Sequence, residues 1–492
     1  MAMAKAEKKN IVMFPFMAYG HINPFMALAR QLERRNGYKV TIVNTPLNIQ
    51  KLRDSLPPNS SISFAEIPFN NVGADYGLPA GTENTDNLSY DLIVQFLIAS
   101  ENLKAPFKNL LVDITRIEGH APVCVISDMF LGWTIEVARE LGIFHSVFIA
   151  GAGYGMAVYF SVSLNMNRQC ENPEEDEFLL LDFPEALRIQ RSQLGNDLIY
   201  SEASESWWTF REKQFLCCLS SDAILLNTID GLGGEIGAEY FSRKMGGKPV
   251  WLIGPTCKSS NTVKKDNKNM QIGRIFGWLD LQPPGSVLYV CFGSQNAILP
   301  SQMRELALGL EASGKKFIWV VRPPIGFSTE TKDLQAEWFP EGFEERIKTK
   351  NQGLLMYKWA PQLEILSHGS TGAFLSHCGW NSVLESLCRG VPIIGWPLAG
   401  EQMFNSKMLK EEAGVCIEVA RGIEESNVAR ERIAEVIKTV MGGEINEEGE
   451  EMRRKAHEIK VKLEEAIRES EGFKGLSLRA MDEFLSTASV QS

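Results

Sequence analysis

Residues 359–402 read WAPQLEILSHGSTGAFLSHCGWNSVLESLCRGVPIIGWPLAGEQ, and the periodicity of their apolar positions decides the fold. The spacing predicts a helix over Pro361–His368 and an apolar strand over Thr371–Ser376. A Gly-containing turn follows, then a helix over about Asn381–Cys388 and a strand over Pro392–Trp396. Helices and strands that alternate across short turns imply a parallel sheet.

The turn His377-Cys378-Gly379-Trp380-Asn381-Ser382 leaves a strand and opens a helix. Gly379 is expected to relieve the bend, and Asn381 or Ser382 to supply the cap. Free N–H groups at a helix start concentrate roughly half a positive charge and favour an anion. His377 adds a donor whose charge is expected to rise when a diphosphate arrives. Glu385 falls one helical turn after Asn381 on the same face, where a carboxylate can accept both hydroxyls of a ribose. Trp359 offers a flat apolar face for a base. A base stacker, an anion hole and a diol acceptor in that order describe a nucleotide diphosphate.

Almost position by position, this stretch resembles the signature of the plant family 1 UDP-dependent glycosyltransferases, the secondary-product enzymes that transfer sugar from a UDP-sugar to small molecules. The resemblance implies that Trp359 stacks on uracil, that Ala360 meets its edge through the backbone, and that Gln362 and Glu385 hold the ribose. His377, Asn381 and Ser382 would bind the diphosphate, with Trp380, Glu401 and Gln402 close to the transferred sugar. Family members often carry an aromatic residue two positions before the acidic one. Here Ala399 and Gly400 precede Glu401, so the sugar-side wall is expected to be roomier.

At 492 residues, 44% of them hydrophobic, the chain can fill two cores. The formal net charge of −11 without a basic stripe argues against a nucleic-acid partner. Nine scattered cysteines without a C-x-x-C pair fit a reducing, cytoplasmic compartment and suggest no zinc. No Asp-x-Asp occurs, so the carboxylate pair that holds a divalent metal in many sugar-nucleotide enzymes is absent. Two apolar stretches mimic targeting signals. Pro15, His21, Asn23 and Pro24 interrupt the one near the start, which therefore reads as fold and not as a signal peptide. The uncharged stretch Leu141–Asn165 is long enough to span a bilayer, but its Gly151-Ala152-Gly153 break reads better as a buried strand and a buried helix.

Taken in order, the chain alternates strand and helix from Ile11–Phe16 onward. Asn23-Pro24 predicts a helix start, leaving His21 in the loop at the carboxyl end of the first strand, where ligands bind in open α/β sheets. A strand over Val123–Ser127 ends at Asp128, either an N-cap or a functional carboxylate. In the family that the signature resembles, a His within YGHINP and an Asp closing a later strand are the catalytic pair, which assigns those roles to His21 and Asp128. A helix over roughly Tyr90–Thr115 is expected between them. Trp207 and Trp208 lie in a helix where aromatics at that spacing read as core, although the resemblance implies that this region borders the acceptor pocket. Residues 1–254 are expected to form an acceptor domain, 255–271 a polar linker and 272–470 a UDP-sugar domain. The last helix, 471–492, would return to the first domain. In the second domain the Gly293-Ser294 turn precedes a helix capped at Ser301, so Ser294 can meet phosphate oxygens. The expected architecture is GT-B: two doubly wound parallel sheets facing across a cleft.

The expected reaction is inverting transfer of a sugar, glucose first, from a UDP-sugar to a hydroxyl of a small apolar or phenolic acceptor, by a monomer with no metal or other cofactor. A nucleotide-linked oxidoreductase is disfavoured, because no G-x-G-x-x-G follows the first strand. Extension of an existing glycoside, or epimerase or hydrolase chemistry on the same fold, are the alternatives. A donor-binding protein without catalysis would be expected to lack His21.

Overall fold

The structure is a computed structural model that describes residues 8–69, 75–86, 88–169, 177–186, 188–195, 198, 205–256, 269–295, 297–323, 338–421, 428–442 and 447–491. The first sheet is built from β1 (Lys9–Phe14), β2 (Tyr38–Asn44), β3 (Ser63–Glu66), β4 (Cys124–Asp128) and β5 (Phe144–Ile149). A short antiparallel ribbon of β6 (Glu177–Phe178) and β7 (Ile189–Gln190) stands apart. The sheet is completed by β8 (Ala223–Leu226) and β9 (Val250–Leu252), in the order β3-β2-β1-β4-β5-β8-β9, with every pairing parallel.

The second sheet holds β10 (Val287–Cys291), β11 (Lys316–Val321), β12 (Gly353–Tyr357), β13 (Thr371–Ser376), β14 (Ile393–Gly395) and β15 (Cys416–Glu418). It is also wholly parallel, in the order β12-β11-β10-β13-β14-β15. The central strands β4, β5, β10 and β13 are buried along their whole length, which is why they read as unbroken apolar runs and not as alternating ones.

The strand order positions the site. In the first sheet the chain winds from β1 out through β2 and β3, then restarts on the other side of β1 with β4, and the second sheet repeats this around β10. Between β1 and β4, and between β10 and β13, the helices leave in opposite directions and open a crevice at the carboxyl edge. His21 follows β1 and Asp128 ends β4. Ser294 follows β10 and His377 follows β13.

Several local expectations are revised. The first helix begins at Tyr19, not at Asn23-Pro24, so Pro24 lies inside it and His21 in its first turn. The helix expected over Tyr90–Thr115 is two helices, Tyr90–Ala99 and Lys104–Glu118, joined by a 3₁₀ turn at Ser100–Leu103. Pro106 has no N–H for the carbonyl of Asn102, so the helical bonding is interrupted at that turn. The helix expected to be capped at Ser301 is Pro300–Ser313. Its N-cap is Leu299, whose N–H is bonded by the side chain of Gln302. The strand β3, too short and mixed to announce itself, was not expected. The polar linker lies largely outside the described residues, as does the start of the helix expected over Glu424–Met441, which is described as Arg430–Met441.

The stretch Leu141–Asn165 contributes β5 and most of the buried helix Gly153–Gln169. Among the described residues no helix is long and apolar enough to cross a membrane. The last helix, Leu476–Gln491, packs on β9 of the first sheet, with Phe484 against Trp251 and Phe144.

Candidate active site

A cleft of about 1990 Å³ runs between the carboxyl edges of the two sheets and is lined by His21 on one side and by Trp359, Gln362, His377, Asn381, Ser382, Glu385, Glu401 and Gln402 on the other. Adjacency of β1 and β4 brings His21 and Asp128 together: His21 Nδ1 lies 2.8 Å from Asp128 Oδ2. The imidazole is 27% exposed to the cleft and the carboxylate 1%. Asp128 is not an N-cap. The following helix, Trp133–Glu140, is capped at Gly132, and Asp128 Oδ1 accepts the Phe130 N–H at 3.1 Å, which fixes the carboxylate.

The Phe16 and Phe130 rings lie 5.6 and 5.5 Å from the imidazole. Burial pushes the His21 pKa down, but the charge of Asp128, its hydrogen bond and the more distant Glu401 outweigh that, and the net shift is upward.

On the opposite wall, Gln362 ties together Tyr289, Ser382 and Glu385. Its amide donates to Glu385 Oε2 at 2.7 Å and Ser382 Oγ at 3.1 Å, and its Oε1 accepts from the Tyr289 hydroxyl at 3.3 Å. Trp359 is 52% exposed on the cleft wall, as a stacking face must be, and Ala360 lines the same wall. Ser294 is exposed at the mouth of the turn after β10.

The turn after β13 works differently from the expectation. Gly379 does not make the bend, since its φ is −61°; Cys378 does, with φ 61°. Cys378 is held there by Ser376 Oγ, which accepts its N–H, and by Asn405 Nδ2, which donates to its carbonyl. Glycine is needed at 379 for space: a Cβ there would lie 2.4 Å from His377 Nε2, and one at Gly293, on the other side, 2.7 Å from the same ring.

Neither Asn381 nor Ser382 caps the helix Trp380–Leu387, which starts without a side-chain cap. Its first N–H groups are therefore not claimed by a cap side chain. Asn381 instead donates to the carbonyl of Gly20 in the other domain, at 2.6 Å. Burial drives the His377 pKa down to about 4 against the upward pull of a hydrogen bond to the Cys291 backbone, so without an anion beside it the ring is neutral at neutral pH.

Two sugar-side residues are also revised. Trp380 is 3% exposed, and its indole N–H donates 2.6 Å to the carbonyl of Asn227, so most of the ring serves the domain interface. Gln402 Oε1 accepts the N–H groups of Leu398 and Ala399, which leaves its amide nitrogen for a ligand. Ala399 and Gly400 both line the cleft.

Sequence reasoning missed Arg322, Gln295 and Asn405. Arg322 lines the cleft and donates to the carbonyl of Gly293 at 3.3 Å, and Gln295 bridges the domains to Thr85 Oγ1 at 2.6 Å. Arg322 sits just past β11, so the signal that drew attention to Asp128, a charged residue closing an apolar strand, was available for it too. Of the two tryptophans, Trp207 lines the acceptor side of the cleft beside Phe130, whereas Trp208 stacks on Arg211 at 4.3 Å.

Residues 278–454 match the family described as UDP-glucoronosyl and UDP-glucosyl transferase. The chain is 44% identical to UDP-glycosyltransferase 92A1 of Arabidopsis thaliana over 497 residues, spanning 100% of this chain and 99% of that protein. It is 40% identical to crocetin glucosyltransferase 3 of Crocus sativus over 86% of this chain and 90% of that one. Phytolacca americana UGT2, solved with UDP-2fluoro-glucose and pterostilbene, superposes with a TM-score of 0.78 at 28% identity, over 98% of this chain and 100% of that chain. Glycyrrhiza uralensis UGT73P12, solved with glycyrrhetinic acid 3-O-monoglucuronide, gives 0.81 at 29% identity, over 98% and 96% of the two chains. The chain belongs to the plant UDP-glycosyltransferases, and its two sheets are the GT-B arrangement.

The packing of His377 between two glycines yields a test of the anion site. Gly379→Ala should weaken UDP binding by tenfold or more, about 1.4 kcal/mol, in calorimetry, because the added methyl displaces the ring. Unchanged affinity would show that the ring's position is not what the donor reads.

Proposed function

We propose that this enzyme transfers glucose from UDP-glucose to a hydroxyl of a small apolar or phenolic acceptor, with inversion at the anomeric carbon. The observation that carries the mechanism is the His21–Asp128 pair, 2.8 Å apart on the first domain and facing the nucleotide signature of the second across one cleft.

His21 is the general base. With Nδ1 engaged by Asp128, Nε2 is the nitrogen left to take the acceptor proton as its oxygen attacks. Asp128 holds the imidazole in one orientation and stabilises the cation that forms, as in the His–Asp half of a hydrolase triad. UDP leaves once its charge is met by the helix start after β13, by the neutral His377 donor and by Ser294, Asn381 and Ser382. Trp359 stacks on uracil and Ala360 meets its edge, while Glu385, held by Gln362, accepts the ribose hydroxyls. Glu401 and the free amide of Gln402 bind hexose hydroxyls. Attack from the face opposite UDP gives a β-product from an α-linked donor.

The acceptor half of the cleft is walled by Phe16, Ile93, Val94, Leu97, Met129, Phe130, Met156 and Trp207, which suits a flat apolar molecule. Both halves of the site come from one chain, so the reading needs no second subunit. All seven cysteines among the described residues are free thiols, in keeping with a cytoplasmic location. No metal takes part. In support, the sequence has no Asp-x-Asp, and the described residues contain no group of three or more His, Cys, Asp or Glu able to hold one.

Three outcomes are expected. His21→Ala should lower turnover by roughly 10²–10⁴ while UDP affinity stays nearly unchanged, and near-normal turnover would sink the base assignment. A base works only when neutral, so kcat/KM should fall as pH drops through the raised His21 pKa. The acidic limb therefore lies above the ordinary value of 6.5. Asp128→Asn removes the main upward influence and should move that limb down along with the rate; a limb that stays in place would assign it to another group. Finally, EDTA should leave turnover intact, and a loss that Mg²⁺ or Mn²⁺ restores would reveal a metal site.

A further inference from the structure

The first helix contains a proline where a helix should not tolerate one without consequence. Pro24 has no N–H, so the carbonyl of Gly20, four residues earlier, has no i+4 donor inside the helix Tyr19–Glu33. That carbonyl is adjacent to His21, and it is the one that accepts the 2.6 Å hydrogen bond from Asn381 Nδ2 of the opposite domain. Asn381 stands at the second position of the helix Trp380–Leu387, in the turn that holds His377.

An amide nitrogen carries two hydrogens. One of those on Asn381 is committed to Gly20, and the other remains for a diphosphate oxygen. A single side chain thus spans from the leaving group's anion site to the backbone that carries the base.

We propose that Pro24 and Asn381 act together as positioning residues: Pro24 keeps the Gly20 carbonyl open, and Asn381 uses it to lock the His21 turn at a fixed distance from the donor. The inference rests on the reading of His21 as the base. In this role Asn381 does more than hold phosphate, and the proline of YGHINP is not there to start a helix, since the helix has already run five residues before it. Replacing Pro24 with Ala restores an N–H that competes for the same carbonyl, so the interdomain bond weakens while every side chain assigned to the donor stays in place.

The test is a double-mutant cycle of Pro24→Ala, Asn381→Ala and the pair, measured at saturating UDP-glucose with one phenolic acceptor. Pro24→Ala alone should lower kcat by roughly three- to tenfold, the scale of one hydrogen bond, with UDP affinity within about twofold. Its melting temperature should be unchanged or higher, because Ala favours a helix interior over Pro. On the Asn381→Ala background the same substitution should cost nothing further, since the bond it weakens is already gone. An equal loss on both backgrounds, or no loss on either, overturns the proposal. His21→Ala measured alongside separates the two failures: near-normal turnover there refutes the base, whereas abolished turnover with an additive cycle refutes only the positioning.

Discussion

The chemistry needs a base on one sheet and a leaving group on another to be kept within reach of the same two reacting atoms, and the apolar seam between the domains meets that constraint. The helix Gln402–Glu411 of the second domain lies on the helix Gly153–Gln169 of the first, and Met403, Phe404 and Met408 share one buried cluster with Tyr154, Ala157 and Val158. The approach is close because Gly155 has no side chain: a Cβ there would lie 2.0 Å from Asn405 Oδ1. From that contact Asn405 reaches back to the carbonyl of Cys378, the residue that bends the diphosphate turn. The seam therefore holds the domains together and also braces the anion site. Trp380 adds to it by donating its indole N–H to Asn227.

Electrostatics divides the labour between the two histidines. Both sit at carboxyl edges of parallel strands, yet His21 has a buried carboxylate beside it and is shifted up, whereas His377 is packed between glycines with no acid against it and is shifted down to about 4. On the proposed mechanism the first is the one that gains a proton during the reaction. The other is held neutral by its burial when no anion is beside it.

Much of this was legible in the residues. The continuous apolar runs of β10, β11 and β13, broken by helical spacing, required a parallel sheet, and the chemistry of Trp359, His377 and Glu385 in that order described a nucleotide diphosphate. His21 and Asp128 could be placed at strand ends because strand ends follow from periodicity. The local errors came from residues whose conformation depends on distant partners. Pro24 suggested a helix start because proline is favoured in a helix's first turn, and Gly379 suggested a bend because glycine usually makes one.

What the sequence determined by itself was the set of elements, their direction and the edge at which chemistry gathers, since these rest on side-chain periodicity and turn chemistry within a few residues. Only the tertiary structure decided which polar groups answer to which. Gly20 finds its donor 361 positions away in Asn381, Trp380 turns to Asn227, and Cys378 is forced into a left-handed conformation that Asn405 and Ser376 make tolerable. The physical reason, for the buried groups of Trp380, Asn227 and Cys378, is that an unpaired buried polar atom is costly wherever it lies, and the partner that removes the cost is chosen by the packing of two domains, which no local pattern encodes.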